Sequence, residues 1–132
     1  MEEHNSENYL HSELSSKVIK AYFNVYNELG YGFLERVYER ALVIELGKMG
    51  LTCVAQHPLT VYYDGHTVGE YYADLVIENT IIVELKAVEE LSKAHEAQLV
   101  NYLRATRIEV GLLFNFGKKP EHKRKIFENR LK

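Results

Sequence analysis

Cysteine is almost absent from this chain of 132 residues, and proline occurs only twice. The single cysteine, Cys53, excludes a disulfide within the chain, and its place in the β-like run 51–55 favours a small buried hydrophobe over a nucleophile. No apolar run approaches the roughly 20 residues that span a bilayer, and the acidic residues 1–8 do not resemble a signal peptide, which is basic and then apolar. We therefore expect a cytoplasmic protein with no membrane partner.

The chain also lacks a strong overall charge. Its net charge is −3, which argues mildly against a dedicated nucleic-acid-binding protein, because such proteins are commonly basic. The segment 118–132 differs, since seven Lys or Arg against two Glu give it a charge of +5. The run Lys123, Arg124 and Lys125 can hold a phosphate backbone, or it can be the solvated face of an ordinary helix. With 46% hydrophobic and 27% charged residues, the composition suits one globular domain over 1–132.

Apolar residues at helical spacing predict two helices in the first half of the chain. The first covers about 12–29 and ends at Gly30, and the second covers about 33–49 and ends at Gly50. The predicted apolar stripes are Val18, Tyr22, Val25 and Leu29 on the first helix, and Leu34, Val37, Ala41 and Ile44 on the second.

The second half of the chain is predicted to be mostly strands. Runs rich in β-branched and aromatic residues lie at 51–55, 59–63, 67–77, 80–86 and 108–116, with turns at 64–65 and 78–80 and a bulge near Gly69. Ser92 is the predicted cap of a helix that ends near Ala105, and a short basic helix is expected after Pro120. A strand, a crossover helix and another strand indicate a right-handed βαβ unit with parallel strands. The fold class is therefore α/β.

Two acids and a lysine in the predicted hairpin are the strongest chemical signal. Glu84 and Lys86 leave the same face of a strand, because side chains alternate, while Val83 and Leu85 point to the other face. Asp74 shares a face with Tyr72 and Val76, and hairpin pairing can bring it beside Glu84. Two carboxylates and a fixed positive charge are the groups that Mg²⁺ chemistry on a phosphodiester requires. A same-face ion pair of Glu84 with Lys86 is the simpler interpretation of this pattern.

Glu35 is an unusual residue on the second predicted helix. It lies on the same face as Tyr38 and Leu42, both of which favour burial, and a partly buried carboxylate requires a cation. Alternatively, Glu35 is an ordinary acidic residue in the first turn of a helix, where the helix dipole favours negative charge. The sequence leaves these two interpretations open.

Three polar side chains occupy one face of the predicted crossover helix. His95, Gln98 and Tyr102 lie about one helical turn apart, next to apolar residues. They can contact a substrate phosphate or the lysine. A core tyrosine with a satisfied hydroxyl, and a glutamine bonded to a neighbouring strand, is the alternative.

The motifs together resemble a known family. The stretch from Gly32 to Tyr38 matches Gly-x-x-Glu-x-x-Tyr, and residues from about 18 to 127 resemble the bacterial and archaeal GxxExxY protein family of the PD-(D/E)XK nuclease superfamily. The pair Gln98 and Tyr102 resembles the Gln-x-x-x-Tyr signature of nucleases of the RecB and lambda-exonuclease type. Ala73 occupies the position before the strand acid where the superfamily name places proline.

This resemblance implies a restriction-endonuclease-like core, a mixed β-sheet flanked by α-helices. It implies a metal site built from Asp74, Glu84 and Glu35, with Lys86 beside it, and Gln98 and Tyr102 positioning the scissile phosphate. The expected protein is a Mg²⁺- or Mn²⁺-dependent nuclease acting on nucleic acid, DNA by preference, and a homodimer would help so small a nuclease to hold a duplex. The alternative is a catalytically silent module that retains the fold and binds nucleic acid or another partner.

Overall fold

In the computed structural model, which describes residues 10–132, helix α1 spans Ser12–Leu29, the bounds that the sequence predicted. Its buried face contains Val18, Tyr22 and Val25, and Leu29 packs at the edge of the same cluster. Gly30 ends the helix with a φ of 66°, a positive value that glycine adopts without steric cost. The 3.6-residue spacing of the apolar residues therefore identified both the helix and its buried face.

Helix α2 spans Glu35–Lys48, but the predicted apolar stripe on it was wrong. Leu34 is 79% exposed, and the side chains of Val37 and Ile44 are also exposed. The buried residues are Tyr38, Leu42 and Leu46. The helix carries two apolar stripes at helical spacing, and the one that contains Tyr38 is buried because the tyrosine ring stacks on Phe116, 4.1 Å between ring centroids.

Five strands form one mixed sheet in the order β1-β2-β3-β4-β5. Their bounds are β1 Cys53–Tyr63, β2 His66–Ile77, β3 Ile81–Lys86, β4 Val110–Phe116 and β5 Pro120–Ile126. Helix α3 (Lys93–Arg104) connects β3 to β4, which are parallel, whereas the other neighbouring strands are antiparallel. The mixed sheet with three helices confirms the predicted α/β class, and β1 joins two runs that the sequence predicted as separate strands.

The basic helix expected after Pro120 was wrong. Residues 120–126 form β5, which pairs with β4 along its whole length. Two of the basic side chains are occupied, because Lys125 forms an ion pair with Glu96 at 2.6 Å and Arg124 donates hydrogen bonds to Ser15 Oγ and to the Leu10 carbonyl. The free edge of β4 determines this outcome, since its unpaired N–H and C=O groups require partners.

Two apolar clusters cover the two faces of the sheet. One packs α1 and α2 against residues such as Val83 and Leu85, with Cys53 at its margin, and the other packs α3 against residues such as Val76 and Ile82. Burial raises the pKa of the Cys53 thiol to about 11, as befits a packing residue. Within residues 10–132, none of the helices is both long and apolar enough to cross a membrane.

The sheet splits at one end. Strand β2 pairs with β3 only through Leu75–Ile77, whereas it pairs with β1 as far as the turn at Asp64 and Gly65. Residues 57–73 are therefore a two-stranded arm with no third strand beside it in the described part of the chain. The register of the arm shifts opposite Val61, which agrees with the bulge predicted near Gly69.

Candidate active site at the split in the sheet

Asp74 and Glu84 lie at the point where β2 leaves β3. The β2–β3 ladder ends at the pair Leu75 and Val83, so the next two residues are Asp74 and Glu84. The backbone N–H of Asp74 donates to Oε2 of Glu84 at 2.8 Å, and the backbone N–H of Leu85 donates to Oδ2 of Asp74 at 2.7 Å. Side-chain oxygens thus accept the hydrogen bonds that main-chain carbonyls accept elsewhere in a sheet. We call Asp74 and Glu84 the acid pair.

The alternation of side chains along β2 breaks at Asp74. Ala73 and Val76 pack in the same cluster beneath α3 although they are three positions apart. Opposite this break, Gln56 of β1 has a φ of 53°. Asp74 therefore lines a cleft beside α2. The predicted shared face of Asp74 and Val76 was wrong, because Val76 packs beneath α3 and the alternation of side chains is interrupted between them.

Glu84 is a buried carboxylate with an unusually high pKa. The residue is only 4% exposed, and burial, followed by the charge of Asp74, raises its pKa to about 8. The Asp74 N–H and the charge of Lys86 oppose this rise, and the charge of Glu35 adds to it. A bound cation would stabilise the charged form of such a carboxylate.

Lys86 is half-buried at the end of β3, two residues beyond Glu84. Among residues 10–132, no carboxylate oxygen lies within 4.0 Å of its Nζ atom. The simple ion pair of Glu84 with Lys86 is therefore not formed in the described structure. The ammonium group remains close enough to Glu84 to lower its pKa, and it is available to contact another anion.

Asn115 holds the segment that follows Lys86, and the sequence did not single it out. It pairs with Lys86 in the β3–β4 register and is fully buried. Its Nδ2 atom donates to the Val88 carbonyl at 2.9 Å, and its Oδ1 atom accepts from the Val88 N–H at 3.0 Å. Gly117 permits this contact, because a Cβ atom there would clash with the Val88 carbonyl oxygen. A polar residue in the apolar run 110–116 was the available signal.

Glu35 and Asp74 line the same cleft, which has a volume of about 470 Å³. Glu35 is the first residue of α2 and is exposed, and Glu39 and Gln56 also line the cleft. Glu39 accepts a hydrogen bond from Gln56 Nε2 at 2.6 Å. Glu35 is therefore in place to reach a ligand held by Asp74.

The Gly and Tyr of the Gly-x-x-Glu-x-x-Tyr motif build the turn that begins α2. Tyr38 is fully buried, and its hydroxyl donates to the Gly30 carbonyl at 2.7 Å and accepts from the Phe33 N–H at 3.1 Å. Gly32 has a φ of 111°, which other residues rarely adopt. The motif thus places Glu35 at the helix start by means of its two outer residues.

Gln98 and Tyr102 lie on α3, on the other side of the acid pair. Tyr102 is 7% exposed, and burial together with the charges of Glu84 and Asp74 raises its pKa to about 12, so its hydroxyl stays protonated and can donate a hydrogen bond. Gln98 is half-buried nearby. His95 does not join them, because it forms a capping box with Ser92 at the helix start.

The donor set suits a hard cation, although it is not assembled into a closed cage. Within residues 10–132, no three His, Cys, Asp or Glu side chains lie close enough together to hold a metal ion. The acid pair supplies carboxylate oxygens of the kind that Mg²⁺ and Mn²⁺ prefer, and Mg²⁺ commonly keeps several waters when one or two carboxylates bind it. Asp74 and Glu84 are therefore the two carboxylates whose chemistry fits such an ion, and Glu35 lines the same cleft as Asp74.

Comparison with known proteins agrees with the fold. A family model described as the PD-(D/E)XK nuclease superfamily matches residues 12–126. A solved structure, the crystal structure of SSO0001, aligns with 97% of this chain and 70% of that chain at a TM-score of 0.57 and 17% sequence identity, which shows similarity of fold. No curated protein matches the sequence.

Proposed function

The chain belongs to the PD-(D/E)XK nuclease superfamily, and from this membership and the geometry of the acid pair we propose that it is a metal-dependent nuclease that hydrolyses phosphodiester bonds. The observation that carries the proposal is the buried Glu84 carboxylate, fixed beside Asp74 by backbone hydrogen bonds and followed by a lysine without an ion-pair partner in the described structure. Because folds are retained when chemistry is lost, the site supports the proposal more strongly than the fold does.

Each site residue has a role in this proposal. Asp74 and Glu84 hold Mg²⁺ or Mn²⁺, and Glu35 reaches it directly or through water. When bound, the ion supplies a charge that stabilises the developing negative charge on the phosphoryl group and a lowered pKa for a bound water. As an ammonium, Lys86 orients the attacking water and stabilises the transition state; as a neutral amine, it takes the proton of that water.

Gln98 and Tyr102 position the scissile phosphate. The Tyr102 hydroxyl, with a pKa raised to about 12, donates a hydrogen bond at neutral pH and remains a neutral donor beside an anionic substrate. Gln98 supplies two more N–H donors on the same side of the helix. Asn115 does not contact the substrate in this proposal. Its hydrogen bonds to Val88 fix the path of the backbone after Lys86.

We further propose that the substrate is DNA, that the protein works in the cytoplasm, and that a second copy of the chain helps it to hold a duplex. The proposed membership of the GxxExxY family rests on the motif from Gly32 to Tyr38, whose Gly and Tyr build the turn before Glu35.

A second candidate function is a catalytically silent module that binds nucleic acid or another partner. The observation in its favour is that, within residues 10–132, no three metal-binding side chains are assembled. In such a module the two carboxylates would serve only to close the end of the β2–β3 ladder. The two functions differ in whether divalent metal produces cleavage.

The decisive experiment is incubation of the protein with labelled single- and double-stranded DNA and RNA, with and without Mg²⁺ or Mn²⁺. We expect cleavage only with metal, and loss of cleavage in Asp74→Asn and Glu84→Gln. The matched control is Glu28→Gln, the same chemical change at an exposed residue of α1. Binding without cleavage under every condition would favour the silent module, and equal activity of Glu84→Gln and wild type would contradict the proposed site.

A further inference from the structure

A groove runs between the arm and α3, beside the proposed active site. Its volume is about 780 Å³, within the roughly 300–1,000 Å³ range of ligand-binding pockets. The arm contributes Tyr62, Val68 and Tyr71 to its wall, and α3 contributes a surface of small and polar residues that ends at Tyr102. This groove is separate from the cleft that contains Glu35.

The tyrosines of the groove are unusually accessible. Tyr62 is 65% exposed and Tyr71 is 47% exposed, and both lie on a strand pair that has no third strand beside it within residues 10–132. The Tyr71 and Tyr102 rings lie 5.8 Å apart between centroids at an angle of 45°, so they form an aromatic pair in the groove wall. Exposed aromatic rings in a groove are the usual platforms for unpaired bases.

The charge of the groove is opposite to that of nucleic acid. Arg104 is the single charged residue of its described lining, and no carboxylate lines it. The amides of Gln98 and Asn101 add donors and acceptors along the same wall. At its inner end, Tyr102 packs in the same cluster as Ala73, the residue that precedes Asp74 on β2. A strand lying in the groove would therefore end beside the acid pair.

We propose that this groove binds an unpaired nucleic-acid strand, whose bases stack on Tyr62 and Tyr71 and whose backbone contacts Arg104. This inference rests on the proposed nuclease function and specifies its substrate as a single strand or the unpaired end of a duplex. A duplex keeps its bases stacked inside, so it offers no ring faces to the tyrosines.

The test measures binding separately from cleavage. A short fluorescein-labelled single-stranded DNA and the matching blunt duplex are titrated with the protein, and binding is followed by fluorescence anisotropy. The buffer contains Ca²⁺, an ion larger than Mg²⁺, in place of Mg²⁺, so that binding is measured separately from cleavage. We expect tighter binding of the single strand, and about a tenfold loss in Tyr62→Ala and in Tyr71→Ala, the usual scale for one stacked base. Tyr62→Phe and Tyr71→Phe retain the rings and should bind like wild type.

Tyr63→Ala is the matched control, because Tyr63 is an exposed tyrosine of the same arm that does not line the groove. It should leave binding unchanged. Arg104→Ala should flatten the dependence of log affinity on log salt by about 0.7, the value for one phosphate contact on a single strand, whereas the tyrosine variants should keep the wild-type slope.

The outcomes separate this inference from the nuclease proposal. If both tyrosine-to-alanine variants bind with wild-type affinity and metal-dependent cleavage is intact, the proposal of strand binding in the groove is overturned and the nuclease proposal stands. If the two tyrosine-to-alanine variants bind the single strand more weakly but no cleavage occurs under any condition, strand binding in the groove is supported and the nuclease proposal is contradicted. Equal effects of Tyr63→Ala and Tyr71→Ala, or a dimer in light scattering that only the groove variants dissociate, would also overturn the inference.

Discussion

The two halves of strand β2 show how one strand can serve both packing and chemistry. The inner half, Leu75–Ile77, has a partner strand on each side and is almost completely buried, whereas the outer half, from His66 to Ala73, pairs with β1 alone among the described strands. Asp74 lies at the boundary between them. There the freed N–H groups of Asp74 and Leu85 bind carboxylates. The split thus supplies the donors that fix two acids side by side.

The largest expected effect is the loss of packing in the inner half. Leu75 is fully buried, so Leu75→Ala should reduce the free energy of unfolding by about 2–5 kcal/mol, because it removes buried apolar surface and leaves a cavity. Val68→Ala, in the outer half, should change it by less than about 0.5 kcal/mol, since Val68 is 61% exposed. Urea unfolding followed by circular dichroism measures both. Equal losses would remove the distinction between the halves.

The next prediction concerns catalysis at the boundary. Lys86→Ala should lower the cleavage rate by about a hundredfold or more, because the lysine acts on the attacking water and on charge that develops only in the transition state. Stability and metal binding should be almost unchanged. Lys86→Arg should not restore the rate, since arginine is larger and does not give up its proton. Single-turnover cleavage of labelled DNA provides the measurement.

Lys20→Ala is the matched control for this experiment, because Lys20 is an exposed lysine of α1. It should cleave at the wild-type rate. Cleavage by Lys86→Ala at nearly the wild-type rate would exclude the lysine from the mechanism and would weaken the case for an active enzyme.

A smaller effect is expected in the pH dependence of stability without metal. The pKa of Glu84 rises from its ordinary 4.5 to about 8 in the folded protein, so between these values the folded state binds a proton that the unfolded state does not. The stability from this proton is therefore complete below about pH 4.5 and is lost as pH rises toward 8. We expect a loss of about 1–3 kcal/mol across this window in wild type, each pKa unit being worth at most about 1.4 kcal/mol.

Thermal melts in EDTA between pH 5 and pH 9 test this prediction. Glu84→Gln should show a flatter profile and a higher melting temperature than wild type at high pH. Mg²⁺ or Mn²⁺ should raise the melting temperature of wild type at high pH, and should raise that of Asp74→Asn less. Parallel pH profiles of melting temperature for wild type and Glu84→Gln would mean that the charge of Glu84 does not destabilise the folded protein.

The opposite edge of the sheet provides the mildest test, because β5 is paired with β4 along its length and has no split. Lys123 is exposed, whereas Lys125 pairs with Glu96 at 2.6 Å. If Lys123 contacts phosphate, Lys123→Ala should weaken binding of all DNA sequences a few-fold and flatten the salt dependence by about 0.7–0.9. Titrations of labelled DNA at several salt concentrations decide this. An unchanged slope of log affinity against log salt would mean that Lys123 contacts solvent and not phosphate.

Much of the fold could be predicted because local signals and tertiary structure agree. The bounds of α1, the capping of α3 by Ser92 and the parallel pairing of β3 with β4 all followed from spacing, capping and chain connectivity. The buried stripe of α2 and the structure after Pro120 did not. In both places the sequence permits two arrangements, and the choice depends on a partner that is distant along the chain: Phe116 for Tyr38, and the edge of β4 for residues 120–126.

By itself, the sequence determined that Asp74, Glu84 and Lys86 belong to adjacent strands of one hairpin, because a turn of known position and the alternation of side chains require it. Tertiary structure alone decided that β2 leaves β3 at Asp74 and that the freed backbone N–H groups bind the two carboxylates. It also decided the burial that raises the pKa of Glu84 and the hydrogen bonds between Asn115 and Val88, two residues beyond Lys86. These features depend on which groups are shielded from water and which backbone groups still require a hydrogen-bond partner. Both are properties of the folded chain.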